Sequence, residues 1–330
     1  MVAAILPFCT LPFAPIPPPQ PAAPDTVTIQ EWLVPWPGTR PRDPFVDRDG
    51  RIWFVGQQGD YVGLFNEATG QFRRFPLPDG AGPHNVVQGP DGALWYTGNR
   101  QANLGRLDPA TGRVTTVPMP AGEPRDPHTL VFDGTGTGWF TAQQGNVIAR
   151  FDPKTDEITV VPVSIPAARP YGIVVDSGNR PWIATFGTNA IATIDPRTME
   201  LRFYPLPNDR ARPRRIAVTS DDMVWYVDYS RGFLAQLDPA SGAVREWATP
   251  GGAASLPYAM AVDHRDRLWF VETGPRPNRL VGFDPRTEQF FSVTAIPSGA
   301  GSVRHMVFHR PTGALWFGTD ANTIGRAVVP

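Results

Sequence analysis

The sequence predicts an all-β chain, a seven-bladed β-propeller of four-stranded antiparallel blades, closed by the N-terminal strand pairing with the C-terminal blade. Three observations predict it. Seven tryptophans, Trp53, Trp95, Trp139, Trp182, Trp225, Trp269 and Trp316, recur at intervals of 42, 44, 43, 43, 44 and 47 residues, the period of a four-stranded blade. Each interval repeats the same order of strand and turn signals. The last unit is one strand short, and an unassigned strand lies ahead of the first.

Within a unit, a proline opens the first strand, as in Pro83-His84-Asn85, Pro127-His128-Thr129 and Pro170-Tyr171-Gly172. An apolar run such as Leu130-Val131-Phe132 follows, then a Gly/Asp turn, then the tryptophan strand. The third strand ends at Asp-Pro in five units, at Asp108, Asp152, Asp195, Asp238 and Asp284. Asp accepts backbone hydrogen bonds at a turn start, and Pro presets φ at the next position. The fourth strand alternates and stops at Pro, as in Val114 to Pro118. The seventh unit ends after its third strand, at Val329-Pro330, whereas Thr26 to Pro35 reads as an orphan fourth strand. Pairing the two removes two exposed edges. One large ring per blade at a common register fills the space between neighbouring sheets, so the tryptophans are structural.

Composition agrees with many short strands joined by tight turns: 32 Gly, 39 Pro, 10 Trp and 19 Phe. The charges nearly cancel, 30 basic against 31 acidic, which argues against a nucleic-acid groove or a polybasic membrane face. Cys9 is the single cysteine, so neither an intrachain disulfide nor a cysteine zinc site is possible. Residues 1–25 read as an apolar, then proline-rich leader or disordered segment, and residues 26–330 as the propeller. The leader and the fold point to a periplasmic or secreted protein, with a cytoplasmic one as the alternative. No membrane span is expected, and nothing along the chain points beyond a monomer.

In a propeller the first strand of each blade runs nearest the axis. The residue after each opener therefore lines the central funnel: Arg42, His84, His128, Tyr171, Arg214, Tyr258 and, in blade seven, Arg304. The next positions add Asp43, Asn85, Thr129, Arg215 and His305. Counted back from its tryptophan, His305 has the offset of His84 and His128. An extra residue in the turn near Arg310-Pro311 instead places Arg304 in the ring, and turns absorb length changes more easily than strands. A second ring after the tryptophan strand carries Gln57, Asn99, Gln143, Asp228, Glu272 and Asp320. Any propeller channel is polar, so polarity alone says little. Converging arginines are more specific, and favour a carboxylate, a phosphate or a developing oxyanion.

The repeat resembles the streptogramin B lyase (virginiamycin B lyase) family. The resemblance rests on Pro170-Tyr171-Gly172-Ile173 and on Leu315-Trp316-Phe317 followed by Asn322-Thr323-Ile324-Gly325-Arg326. Similar text recurs at Leu94-Trp95-Tyr96 with Asn103-Leu104-Gly105-Arg106. It implies a seven-bladed fold and a Mg²⁺-assisted elimination that opens a cyclic depsipeptide at an ester. That chemistry needs a base for the proton α to a carbonyl and a cation for the enolate. The family pattern has a ring His in blade six, Glu-Pro-His in blade seven, and a Glu four residues beyond the last tryptophan. Here those places hold Tyr258, Ser302-Val303-Arg304 and Asp320, which points away from streptogramin cleavage itself.

Three functions are compatible with these residues. The first is a lyase or hydrolase acting on a small anionic or ester-containing molecule. In it His128, His305 or Tyr258 is catalytic, Arg42, His84, Tyr171, Arg214 and Arg304 bind substrate, and Asp228, Glu272 and Asp320 hold Mg²⁺ or Ca²⁺. The second is a non-catalytic propeller that binds a small anion or a protein partner. The third is a metal-dependent lactonase, whose usual six blades conflict with the seven tryptophan units.

Overall fold

A computed structural model describes residues 26–122 and 126–330; the leader segment 1–25 lies outside the described residues. Seven four-stranded antiparallel sheets follow one another along the chain. Blades one to six span residues 41–76, 83–118, 127–162, 170–205, 213–248 and 257–295. The seventh combines the last three strands with the N-terminal strand Ile29–Leu33, which pairs with Thr323–Val328, Ile29 opposite Ala327 and Leu33 opposite Thr323. Side chains reinforce this closure. Asn322 donates to the Val34 carbonyl at 2.8 Å, and Glu31 accepts from the amide of Ser298, in the segment that joins blades six and seven, at 2.7 Å. Among the described residues no helix is long and apolar enough to cross a membrane.

The tryptophans do more than fill space. All seven are buried, and in several blades the indole N–H is anchored to an Asp six residues earlier. Trp53 donates to Asp47 at 2.7 Å, Trp182 to Asp176 at 2.8 Å and Trp269 to Asp263 at 2.9 Å. The same Asp accepts backbone N–H groups of its own turn, as Asp176 does from Arg180 at 2.9 Å. One carboxylate thus fixes both the hairpin and the ring that wedges the blades apart. The apolar clusters bridge blades: Trp53, Val62 and Phe75 of blade one pack with Val86, Leu94 and Tyr96 of blade two. At the closing seam Trp316 and Ile324 meet Ile52, Phe54 and Phe65. There Gly318 leaves room for blade one, since a Cβ would lie 2.6 Å from the Pro41 carbonyl oxygen.

Strand register decides the blade-seven alignment. Val307 faces Trp316 as Ala261 faces Trp269, so Val303 takes the opener's place and Arg304 the ring position. The extra residue sits in the turn, which winds into a short 3₁₀ segment at Arg310–Thr312.

Candidate functional site

The start of every inner strand is irregular. In blades two to seven the pairing slips between the opener and the residue three further on, for example between Pro127 and Leu130. In blade one the slip falls a residue later, between Arg42 and Phe45. Such bulges bend a strand and re-aim its side chains. Here the irregularity recurs at the channel end where the ring residues sit. In blade one it drives Asp43 to a φ of 44°, a left-handed conformation that costs a non-glycine residue on the order of 1–3 kcal/mol.

The ring residues close over the axis. Arg42, His84, His128, Tyr171 and Tyr258 are all buried, and Arg214 and Arg304 are more open. The His84 and His128 rings lie 3.6 Å apart and the His128 and Tyr171 rings 4.2 Å apart. The hydroxyls of Tyr171 and Tyr258, from blades four and six, share a short hydrogen bond. Arg214 sits inside an aromatic cage, its guanidinium carbon 3.6 Å from the Tyr258 ring centroid, 4.3 Å from Tyr229, 4.7 Å from Phe186 and 5.3 Å from Tyr171. Cation–π contacts of this kind contribute roughly 0.5–2 kcal/mol each.

One residue further along the strands lies a charged layer. Asp43 accepts from Arg42 Nε at 2.9 Å and from Arg215 at 3.2 Å. Arg215 also donates to the Arg304 carbonyl at 2.9 Å and reaches Thr129 at 3.4 Å. Thr129 in turn bonds His128 Nδ1 at 2.8 Å. Blades one, three, five and seven are thereby tied across the axis. Several polar atoms in the ring and this layer are buried with no hydrogen-bond partner: Arg42 Nη2, Arg214 Nε, His84 Nδ1 and His305 Nδ1.

Burial and the surrounding guanidiniums set the titration. Burial would raise the Asp43 carboxyl, but Arg42 and Arg215 outweigh it and hold Asp43 well below the usual carboxylate range. His84 and His128 are pushed well below the ordinary histidine value, first by burial and then by the arginines. His305 is lowered to about 4 by burial and Arg215. The two tyrosines diverge. Burial raises Tyr258, and its neighbour Tyr171 adds to that shift. Burial acts the same way on Tyr171, yet Arg214, Arg215 and Arg42 bring it below the ordinary phenol value. A buried group whose charged form is stabilised in this way marks a candidate functional site.

The other sequence-predicted residues lie apart. Arg304 turns outward into a two-pronged ion pair with Asp320, one arm at 2.7 Å. Asp228 accepts from the amides of Arg212 and Ser230 and pairs with Arg231 at 3.2 Å. Glu272 accepts from the Gly251 amide at 2.6 Å and pairs with Arg279. The three carboxylates expected to share a cation are thus each engaged by a different arginine. Among the described residues no three His, Cys, Asp or Glu side chains cluster to hold a metal. The side chains present do not fit the divalent cation that the family resemblance implies.

Sequence reasoning missed Phe186 and Tyr229, although a signal was present. Both stand four residues beyond their tryptophan, as do Gln57, Asn99, Gln143 and Asp320. Asp228 and Glu272 stand only three beyond, as the terminal residues of their strands opposite Pro213 and Pro257.

The geometry defines a class, a seven-bladed propeller whose axial channel is closed at one end by a buried cationic and aromatic ring. The model of the virginiamycin B lyase family matches residues 27–327, and the chain belongs to that family. Its fold is similar to selenomethionine-substituted virginiamycin B lyase from Staphylococcus aureus, with a TM-score of 0.83 and 22% identity over 92% of this chain and 99% of that one. A streptogramin B lyase structure gives 0.82 and 22% over 91% and 97%. A catalytically inactive histidine-to-alanine variant of the S. aureus lyase with quinupristin gives 0.83 and 21% over 92% and 99%. These likenesses are of fold. No curated protein matches the chain.

Proposed function

We propose that the ring end of the channel binds a small molecule through a carboxylate, or through the carbonyl oxygen of an ester. The observation that carries this reading is the pair of buried guanidinium nitrogens, Arg42 Nη2 and Arg214 Nε, without an acceptor. A buried donor left unpaired costs about 1–3 kcal/mol, and more when charged. An anionic oxygen delivered to the ring would recover that energy. Charge favours it too, because Arg42 and Arg215 share a single carboxylate, Asp43, and among the described residues Arg214 has no carboxylate partner.

Tyr171 favours a second reading, an elimination. Histidines held far below neutral are weak bases at pH 7, whereas a phenolate stabilised by arginines is a stronger one. Tyr171 would take the proton α to the bound carbonyl. That C–H electron pair would form the carbon–carbon double bond, and the β C–O bond would break with its electrons leaving on the acyloxy group, which departs as a carboxylate while Tyr171 gives its proton up to solvent. The guanidiniums would hold the enolate oxygen meanwhile.

Calorimetric titration with N-acetylphenylalanine and with its amide tests the first reading. The acid is expected to bind at least about tenfold more tightly than the amide, and Arg214→Gln to erase that preference while the circular dichroism stays unchanged. Equal binding of acid and amide overturns it. For the second, Tyr171→Phe is expected to retain ligand affinity and abolish formation of an unsaturated product from a β-acyloxy ester. Undiminished turnover by that variant removes Tyr171 as the base.

A further inference from the structure

From the ring that closes one end, the axial channel continues toward the hairpin turns. Beyond the ring lies a cavity of about 310 Å³, running along the inner strands of blades four to seven toward their hairpin turns. Its walls are apolar and include Ile173, Val175, Val218, Val262, Met260 and Met306. Two polar side chains line it, Arg215 and His305, and both come from the strand position next to the ring. The cavity is therefore apolar at its mouth and polar at its inner end. The last two inner-strand positions facing the hairpin continue this character around the axis, Gln88 and His309 being the polar residues among them, and most are partly exposed.

We infer that this cavity is a second binding site, for a medium-length aliphatic monocarboxylate whose chain lies along blades four to seven and whose head meets Arg215 and His305. The volume suits such a body: at the ~30 Å³ that one water occupies in the liquid, 310 Å³ holds roughly ten non-hydrogen atoms. A concave, largely apolar cavity with a few convergent polar groups is the usual form of a small-molecule site. His305 Nδ1 is buried without a hydrogen-bond partner, so the inner end carries a polar atom that the fold itself does not satisfy. The head is anionic because two guanidiniums, Arg42 and Arg215, share the one carboxylate of Asp43. The nearby Arg304 is already matched by Asp320. This site is separate from the ring reading and stands or falls independently of it.

Octanoate added to the full-length protein carrying ¹³C-methyl methionine provides the test. Of the six methionines, Met260 and Met306 line the cavity, and Met260→Leu and Met306→Leu identify their signals. Both signals are expected to move together and saturate at one equivalent, with Met119, Met199 and Met223 unmoved. Val218→Phe and, independently, Val262→Phe should weaken octanoate at least about tenfold, and octan-1-ol should bind more weakly than octanoate by a similar factor. His305→Ala should weaken it several-fold, whereas Arg214→Gln should leave it unchanged. The proposal fails if all methionine signals drift without saturating, which is surface adsorption, or if the alcohol binds as well as the acid. It also fails if Arg214→Gln abolishes binding while Val218→Phe does not, since the carboxylate then belongs to the ring.

Discussion

At the ring end of the channel, the residues after the seven openers are Arg, His, His, Tyr, Arg, Tyr and Arg. Four residues further along the same strands they are Val, Gln, Phe, Val, Val, Val and Phe. The backbone scaffold is common to both ends, and the physics of the two ends is opposite. The hairpin end is what an inner strand does by default, presenting β-branched and aromatic side chains that pack and need no partners. The ring end is buried, charged and only partly satisfied, and it includes a left-handed Asp43 at φ 44°. Buried polar groups hold a structure only when each finds its partners, so the ring end stands out as the part of the channel not built for stability alone.

This contrast breaks most readily at Asp43. Asp43→Asn leaves Arg42 and Arg215 buried without a counter-charge, and is expected to lower the unfolding free energy by about 3–5 kcal/mol. Val46→Ala, at the other end of the same strand, should cost only about 1 kcal/mol. Urea denaturation of the two variants compares the ends directly, and equal losses would dissolve the distinction.

Acid should weaken the ring end, where buried histidines and Asp43 are held below their ordinary values. Histidines lowered by burial bind protons only on unfolding, so their contribution is complete above about pH 6.5 and declines as pH falls. For His305 the decline runs down to about pH 4. Asp43, depressed by Arg42 and Arg215, keeps its contribution above about pH 3.9 and loses it as pH falls through its folded value. The melting temperature is therefore expected to drop between pH 7 and 4 and then further below 4. His305→Gln should lessen the drop in the upper window, the remainder coming from His84 and His128, and an unchanged profile would mean that His305 titrates normally. A smaller effect sharpens the ring end further. Spectrophotometric titration should find one tyrosine ionising below the ordinary range, a signal that Tyr171→Phe removes and Arg214→Gln shifts upward.

The site was partly legible before the fold was seen. A constant count of eleven residues back from the tryptophan finds the ring in six blades, and the turn insertion at Arg310-Pro311 restores it in the seventh. The same discipline applied forward, four residues beyond every tryptophan, finds Phe186 and Tyr229. Asp228 and Glu272 share the charge of a ring residue and not its register, and both side chains turn to nearby loop amides and arginines. The anchoring of Trp53, Trp182 and Trp269 by an Asp six residues earlier was also within reach, because an Asp stands at that place in four of the seven blades.

By itself the sequence determined how many blades there are, where the ring closes and which residue each blade contributes to the axis. Those properties are local and periodic, set by strand alternation, turn chemistry and one buried indole per repeat. Only the tertiary structure decided which of those residues meet. Asp43 and Arg215 are 172 positions apart, and Tyr171 and Tyr258 are 87. A period places such residues on one circle but does not say which side chains reach across it. That depends on side-chain length, on the direction each bulge imposes and on competition for partners, through which Asp320 draws Arg304 outward while Asp43 keeps Arg42 and Arg215 within.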